Sequence, residues 1–126
     1  MPSGWAALGD AQFLRGYSLL LPDPVAPNLN ALDKAERARF LYDMSVIGDA
    51  LLEVAGAYRI NCDILGNLDP VLHAHIFPRY MSEPEEIRKS VIYRYSREQL
   101  CSNPFNAERD ARLMSQLCEA IVRRVA

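Results

Sequence analysis

Lysine is almost missing from this sequence, which holds only Lys34 and Lys89 and draws its other cations from arginine. The formal net charge is −2 and the positive residues are scattered, so there is no basic face of the kind that grips duplex nucleic acid. A small phosphorylated ligand needs less, because a few donors aimed at one phosphate suffice. Cysteine is sparse and odd in number: Cys62, Cys101 and Cys118 have no metal-ligand spacing. That argues against an extracellular disulfide framework and for reduced thiols in a cytoplasm. No run approaches the roughly 18 apolar residues of a membrane span. Met1–Asp10 also lacks the basic start and apolar stretch of a signal peptide. A soluble cytoplasmic location without membrane association is expected.

What is present is a core. Half of the 126 residues are hydrophobic, enough for one domain over residues 1–126. Trp5–Leu8 and Phe13–Leu21 read as two strands around a turn at Gly9-Asp10, the second stopped by Pro22-Asp23-Pro24 because proline cannot donate to a ladder. Asp33 with Glu36 forms a capping-box pattern. Behind it, Phe40, Leu41, Met44, Ile47, Leu51 and Val54 recur at helical spacing, up to a stop at Gly56. That predicts a long amphipathic helix on one face of a sheet. Residues 80–126 read as a C-terminal extension with a solvated charged loop over Ser82–Lys89, a short strand over Ser90–Tyr95 and a second helix from Asn106. Trp5, Phe13 and Phe40 read as core.

Two alternating runs, Tyr58–Leu65 and Val71–Phe77, flank the turn Gly66-Asn67-Leu68-Asp69-Pro70 and predict a hairpin. Histidine occurs twice in the chain, and both copies lie in the second run. His73 and His75 are one residue apart, so they share a face, roughly 7 Å from each other by strand rise. Pairing Leu65 with Val71 sets Asp63 opposite His73 and Asn61 opposite His75, and leaves Cys62 on the apolar face. Two imidazoles, a carboxylate and an amide on one face suit phosphoryl chemistry. A neutral imidazole is a nucleophile near its ordinary pKa of about 6.5, and N–H groups around Gly66-Asn67 can face a developing negative charge. The plain alternative is a chance pair on an exposed strand. A metal site is another, with Asp63, Asp69 or a cysteine completing the pair as ligands.

The segment Leu65-Gly66-Asn67-Leu68-Asp69-Pro70-Val71-Leu72-His73-Ala74-His75-Ile76-Phe77-Pro78-Arg79-Tyr80 resembles the signature of the histidine-triad superfamily. In that signature three histidines alternate with apolar residues between a Gly-amide pair and Pro-Arg. Gly16–Pro22 resembles the family's strand before its nucleotide loop, and Leu32–Glu36 its helix start, so the resemblance spans about residues 5 to 80. It implies an α+β fold: an antiparallel sheet of about five strands, a long helix on one face and a C-terminal helix. It further implies a homodimer that acts on a nucleotide or dinucleotide; no cofactor or metal is expected. The implied reaction is hydrolysis or nucleotidyl transfer at the α-phosphate through a nucleotidyl-histidine. By position, His73 is the family's nucleophile, and His75 and Asn67 contact phosphate. Asn61 matches the asparagine of the preceding strand. The first histidine of the triad is replaced by Val71, whose backbone carbonyl can still orient the nucleophile. The loop that often carries a further histidine reads Asp23–Asn28, with Asn28 the candidate substitute. The replacements at Val71 and Val25 leave a non-catalytic nucleotide-binding module as one alternative; a metal-dependent enzyme with His73 and His75 as ligands is the other.

Overall fold

The computed structural model describes all 126 residues. Its sheet has four strands rather than five: β1 (Gly4–Leu8), β2 (Ser18–Pro22), β3 (Arg59–Asp63) and β4 (Ala74–Arg79), all antiparallel in the order β1-β2-β4-β3. The expected strand over Ser90–Tyr95 is a 3-10 turn at Ile92–Arg94. The carbonyls of Ile87 and Ser90 just before it accept from the Arg79 guanidinium, so they are engaged by a side chain and not by a neighbouring strand.

Between β2 and β3 runs the long helix α1 (Lys34–Val54). Both arms of its capping box form: the Glu36 N–H donates to Asp33 at 2.8 Å and the Asp33 N–H donates to Glu36 at 3.0 Å. These bonds satisfy donors that the first helical turn leaves free, an effect of about 1 kcal/mol. The helix ends at Ala55, where Gly56 turns left-handed at φ +74. Its Phe40, Ile47, Ala50 and Leu51 pack with Leu20, Ala74 and Ile76 from the sheet. The C-terminal helix α4 (Ala111–Val125) adds Leu113, Leu117 and Ala120 to the same core. It starts five residues later than expected, because the Asp110 carboxylate folds back to accept the Asn106 N–H.

The second strand is shorter than the run Phe13–Leu21. Gln12 is buried, and its amide donates to the Gly9 and Tyr17 carbonyls while accepting the Gly16 N–H. This one side chain satisfies the backbone of a compact turn, so the chain coils from Gly9 to Tyr17 before the ladder begins. Trp5, expected in the core, is 68% exposed on the edge strand.

The opposite face of the sheet is only partly covered. Leu14, Phe77, Ile92 and Tyr95 form a smaller cluster there. Two one-turn helices, α2 (Glu85–Arg88) and α3 (Arg97–Leu100), carry the chain over it. The charged loop is not uniformly solvated. Glu83 is buried against Arg79, itself 1% exposed, and a 3.0 Å ion pair joins them. Tyr95 and the Tyr80 N–H donate to the same carboxylate. Burial alone would push the Glu83 carboxyl up; the hydrogen bonds from Arg79, Tyr80 and Tyr95, with the Arg79 charge, hold it below its ordinary value.

Candidate functional site

β4 is the central position of the site, with β2 on one side and β3 on the other. It begins at Ala74, three residues later than expected, so His73 precedes the ladder rather than lying in it. Val71 and Leu72 bond elsewhere: the Val71 N–H donates to Asp69 and the Leu72 N–H to Ala26. Leu72 is thereby buried in the main core while His73 points to the open side. The later start moves the register by two residues. Asp63 pairs with His75, not His73, and Asn61 pairs with Phe77, not His75. A two-residue slip preserves the faces, so Cys62 still shares the helix side with Ile76, although it is exposed at the sheet edge.

The two imidazoles meet. Their ring centroids are 4.9 Å apart with planes at 77°. His73 Nδ1 lies 2.6 Å from the Val71 carbonyl oxygen. A carbonyl can only accept, so Nδ1 holds the ring proton and Nε2 is left with its lone pair. The Val71 carbonyl thus fixes the tautomer a nucleophilic imidazole requires.

His75 is half-buried and has a different partner, the Tyr17 hydroxyl, 2.5 Å from its Nδ1. Burial lowers the His75 pKa, the Asp63 charge opposes that, and His73 adds to the lowering. Tyr17 stacks on Phe77 at 4.8 Å and lies nearly parallel to His75. Asp63 accepts the Tyr93 hydroxyl at 2.6 Å through one oxygen, while its other oxygen is buried without a partner. No three His, Cys, Asp or Glu side chains gather where a metal ion could sit.

The remaining expected contacts are not assembled around the pair. The Asn61 amide oxygen accepts from Arg79 at 2.8 Å, which ties it into the buried ion-pair knot and turns it from the histidines. Asn67 is exposed on the Gly66–Pro70 turn. Asn28, the candidate substitute for a loop histidine, caps a 3-10 turn by accepting the Ala31 N–H. What the sequence did not reveal is a cleft of about 330 Å³ beside His75, whose walls include Asp10, Phe13, Tyr17, Phe77 and Tyr93. Its size is at the lower end of the roughly 300–1,000 Å³ usual for ligand pockets. Tyr17 and Leu19 alternate with the same parity as His75, a signal in the sequence, but only the β2–β4 pairing brings them beside it.

Folding and titration are linked here. Because the folded chain resists protonating His75, the unfolded chain takes up that proton first, and stability declines as pH falls below about 6.5. The stabilisation from the Glu83 carboxylate is complete above its ordinary range and is lost at still lower pH, as its depressed folded pKa is crossed. A denaturation midpoint that falls steadily between about pH 7 and pH 4 is the expected result; one that rises on acidification contradicts it.

A four-stranded antiparallel sheet with a long helix on one face and a histidine pair on the other defines the class of protein. No family model matches the sequence, and no curated protein matches it. Solved structures match its shape. A histidine triad (HIT) protein from Sinorhizobium meliloti 1021 aligns with TM-score 0.79 at 17% identity, over 95% of this chain and 84% of that one. A histidine triad protein from Bradyrhizobium japonicum aligns with TM-score 0.76 at 24% identity, over 96% and 86%. A hypothetical histidine triad nucleotide-binding protein from Sulfolobus tokodaii strain7 aligns with TM-score 0.70 at 18% identity, over 94% and 77%. The chain has the histidine-triad fold. No helix in it is long and apolar enough to cross a membrane.

Proposed function

We propose that this chain is a histidine-triad enzyme that cleaves a nucleotide anhydride or phosphoramidate, such as a dinucleoside polyphosphate, at the α-phosphate. The observation that carries this reading is the 2.6 Å contact of His73 Nδ1 with the Val71 carbonyl, which leaves Nε2 unprotonated and aimed away from its anchor. In the first step the Nε2–P bond forms and the bond from phosphorus to the bridging oxygen or nitrogen breaks. The leaving group departs with that electron pair and takes a proton from solvent. In the second step water attacks phosphorus and returns a proton to solvent, the P–N bond breaks and Nε2 regains its lone pair, releasing a nucleoside monophosphate. An alcohol or phosphate in place of water makes the same step a transfer.

His75 stands where a donor can meet a phosphate oxygen held by His73. The cleft lined by Phe13, Tyr17 and Tyr93 offers aromatic walls to a base, with the Asp10 carboxylate at its edge. Asn67, exposed on its turn, and Asn61, whose amide oxygen is engaged by Arg79 while its NH₂ is not, are the further phosphate contacts of this reading. A second copy of the chain as partner follows from the same family likeness.

Incubation with diadenosine polyphosphates and AMP phosphoramidates, followed by chromatography for AMP, tests the activity. AMP release is expected; calorimetric binding without product would instead favour a nucleotide-binding module. Because Val71 acts through its backbone, Val71→Ala should keep kcat/KM within about threefold. A loss of a hundredfold would place the function in the side chain.

A further inference from the structure

We infer that Tyr17 is a positioning residue that fixes the proton of His75 on Nε2 and so makes that ring a hydrogen-bond donor to the reacting phosphate. The geometry is the 2.5 Å contact between the Tyr17 hydroxyl and His75 Nδ1. Two arrangements satisfy this distance. Either the phenol donates to a bare Nδ1, or a protonated Nδ1 donates to the phenol oxygen. In the second arrangement the phenol proton has no acceptor within the chain, whose only hydrogen bond to the Tyr17 hydroxyl is the one with His75. Leaving such a donor unpaired where the ring is largely covered costs free energy. A phenolate acceptor is equally disfavoured, since burial, Asp63 and Asp10 push the Tyr17 pKa up to about 12. The phenol therefore donates, Nδ1 accepts, and the single proton of neutral His75 sits on Nε2.

The consequence is a pair of imidazoles in opposite tautomers 4.9 Å apart. On His73 the Val71 carbonyl draws the proton to Nδ1 and exposes a lone pair for attack. On His75 the Tyr17 hydroxyl draws the lone pair to Nδ1 and exposes an N–H. With the other tautomer, His75 would turn a lone pair toward an anionic oxygen and repel it. Tyr17 is held for this task by stacking on Phe77 at 4.8 Å. Gly9 allows that placement, since a β-carbon there would lie 2.2 Å from the Tyr17 ring.

The catalytic meaning of the assignment rests on the α-phosphate chemistry proposed above; the tautomer does not. Long-range ¹H–¹⁵N correlation on the ¹⁵N-labelled protein without ligand, near neutral pH, reads the protonated nitrogen of each histidine. The expected result is Nε2–H for His75 in the unaltered protein, and a shift toward Nδ1–H or a mixture in Tyr17→Phe, which keeps the stacked ring. Nδ1–H in the unaltered protein overturns the inference, and so does an unchanged Nε2–H tautomer in Tyr17→Phe. In kinetics with an AMP phosphoramidate, Tyr17→Phe should lower kcat by about tenfold to a hundredfold with KM little changed, less than deleting a donor outright because the active tautomer stays accessible. Equal kcat despite an altered tautomer overturns the catalytic role. Absence of turnover by the unaltered protein counts against the phosphate chemistry, while the spectra still decide the tautomer.

Discussion

Replacing His73 with alanine is expected to lower turnover by roughly 10³-fold or more while leaving nucleotide affinity within a few-fold. The asymmetry follows from covalent catalysis. In the proposed mechanism the Nε2 lone pair forms a bond to phosphorus that exists only along the reaction path, so its loss removes the path itself. Ground-state binding in that reading draws instead on the aromatic cleft beside His75, which His73 does not line. The imidazole sits on the open side of the sheet, and no packed core depends on it: Leu72 and Ala74, its neighbours, are the buried residues. Calorimetry with a nucleoside monophosphate and initial rates on the same preparation separate the two effects. Affinity lost in parallel with turnover would make His73 a binding residue only.

Arg79→Ala is expected to destabilise the fold by about 3–5 kcal/mol, the range for deleting one partner of a buried ion pair. The guanidinium is 1% exposed and donates to Glu83, to the Asn61 amide and to the Ser90 and Ile87 carbonyls. Without it the Glu83 carboxylate is left buried with only the Tyr95 phenol and the Tyr80 backbone N–H as donors, and two carbonyls lose their donor. Lysine cannot reproduce the planar fan of donors, so Arg79→Lys should recover only part of the loss. Paired replacement of Arg79 and Glu83 by apolar residues of similar size should cost less than Arg79→Ala, because no charge is then stranded. Urea denaturation of the three variants reads the order directly. A change below about 1 kcal/mol for Arg79→Ala would mean that the pair is solvated in solution.

The parts of the molecule legible in the sequence were those set by neighbours along the chain. The Asp33–Glu36 capping box and the helical stripe from Phe40 place α1 correctly, since both act within a few residues. Alternation likewise places His73 and His75 on one side. It does not place the register, because a slip of two residues leaves every side chain on its own face. The pairing is decided instead by distant contacts: Leu72 bonded to Ala26, and Arg79 gathered by Asn61, Glu83 and the carbonyls of residues 87 and 90. A buried arginine after Pro78 has no periodic signature, so the loop that buries it read as solvated charge. Tyr17 was hidden for a similar reason. It lies 58 residues from His75 in sequence, and Gln12, by satisfying the turn from within, delays the start of the expected strand until just after it.

The proposed nucleophile can be caught directly. The protein is mixed rapidly with an AMP phosphoramidate, quenched in alkaline denaturant because P–N bonds are labile in acid, digested, and the peptide spanning residues 71 to 79 is fragmented by mass spectrometry. One adenylyl group on His73, rising and decaying at rates consistent with AMP release, is the expected result. AMP formed at full rate with His73 unmodified throughout, or with the group on His75, would contradict it.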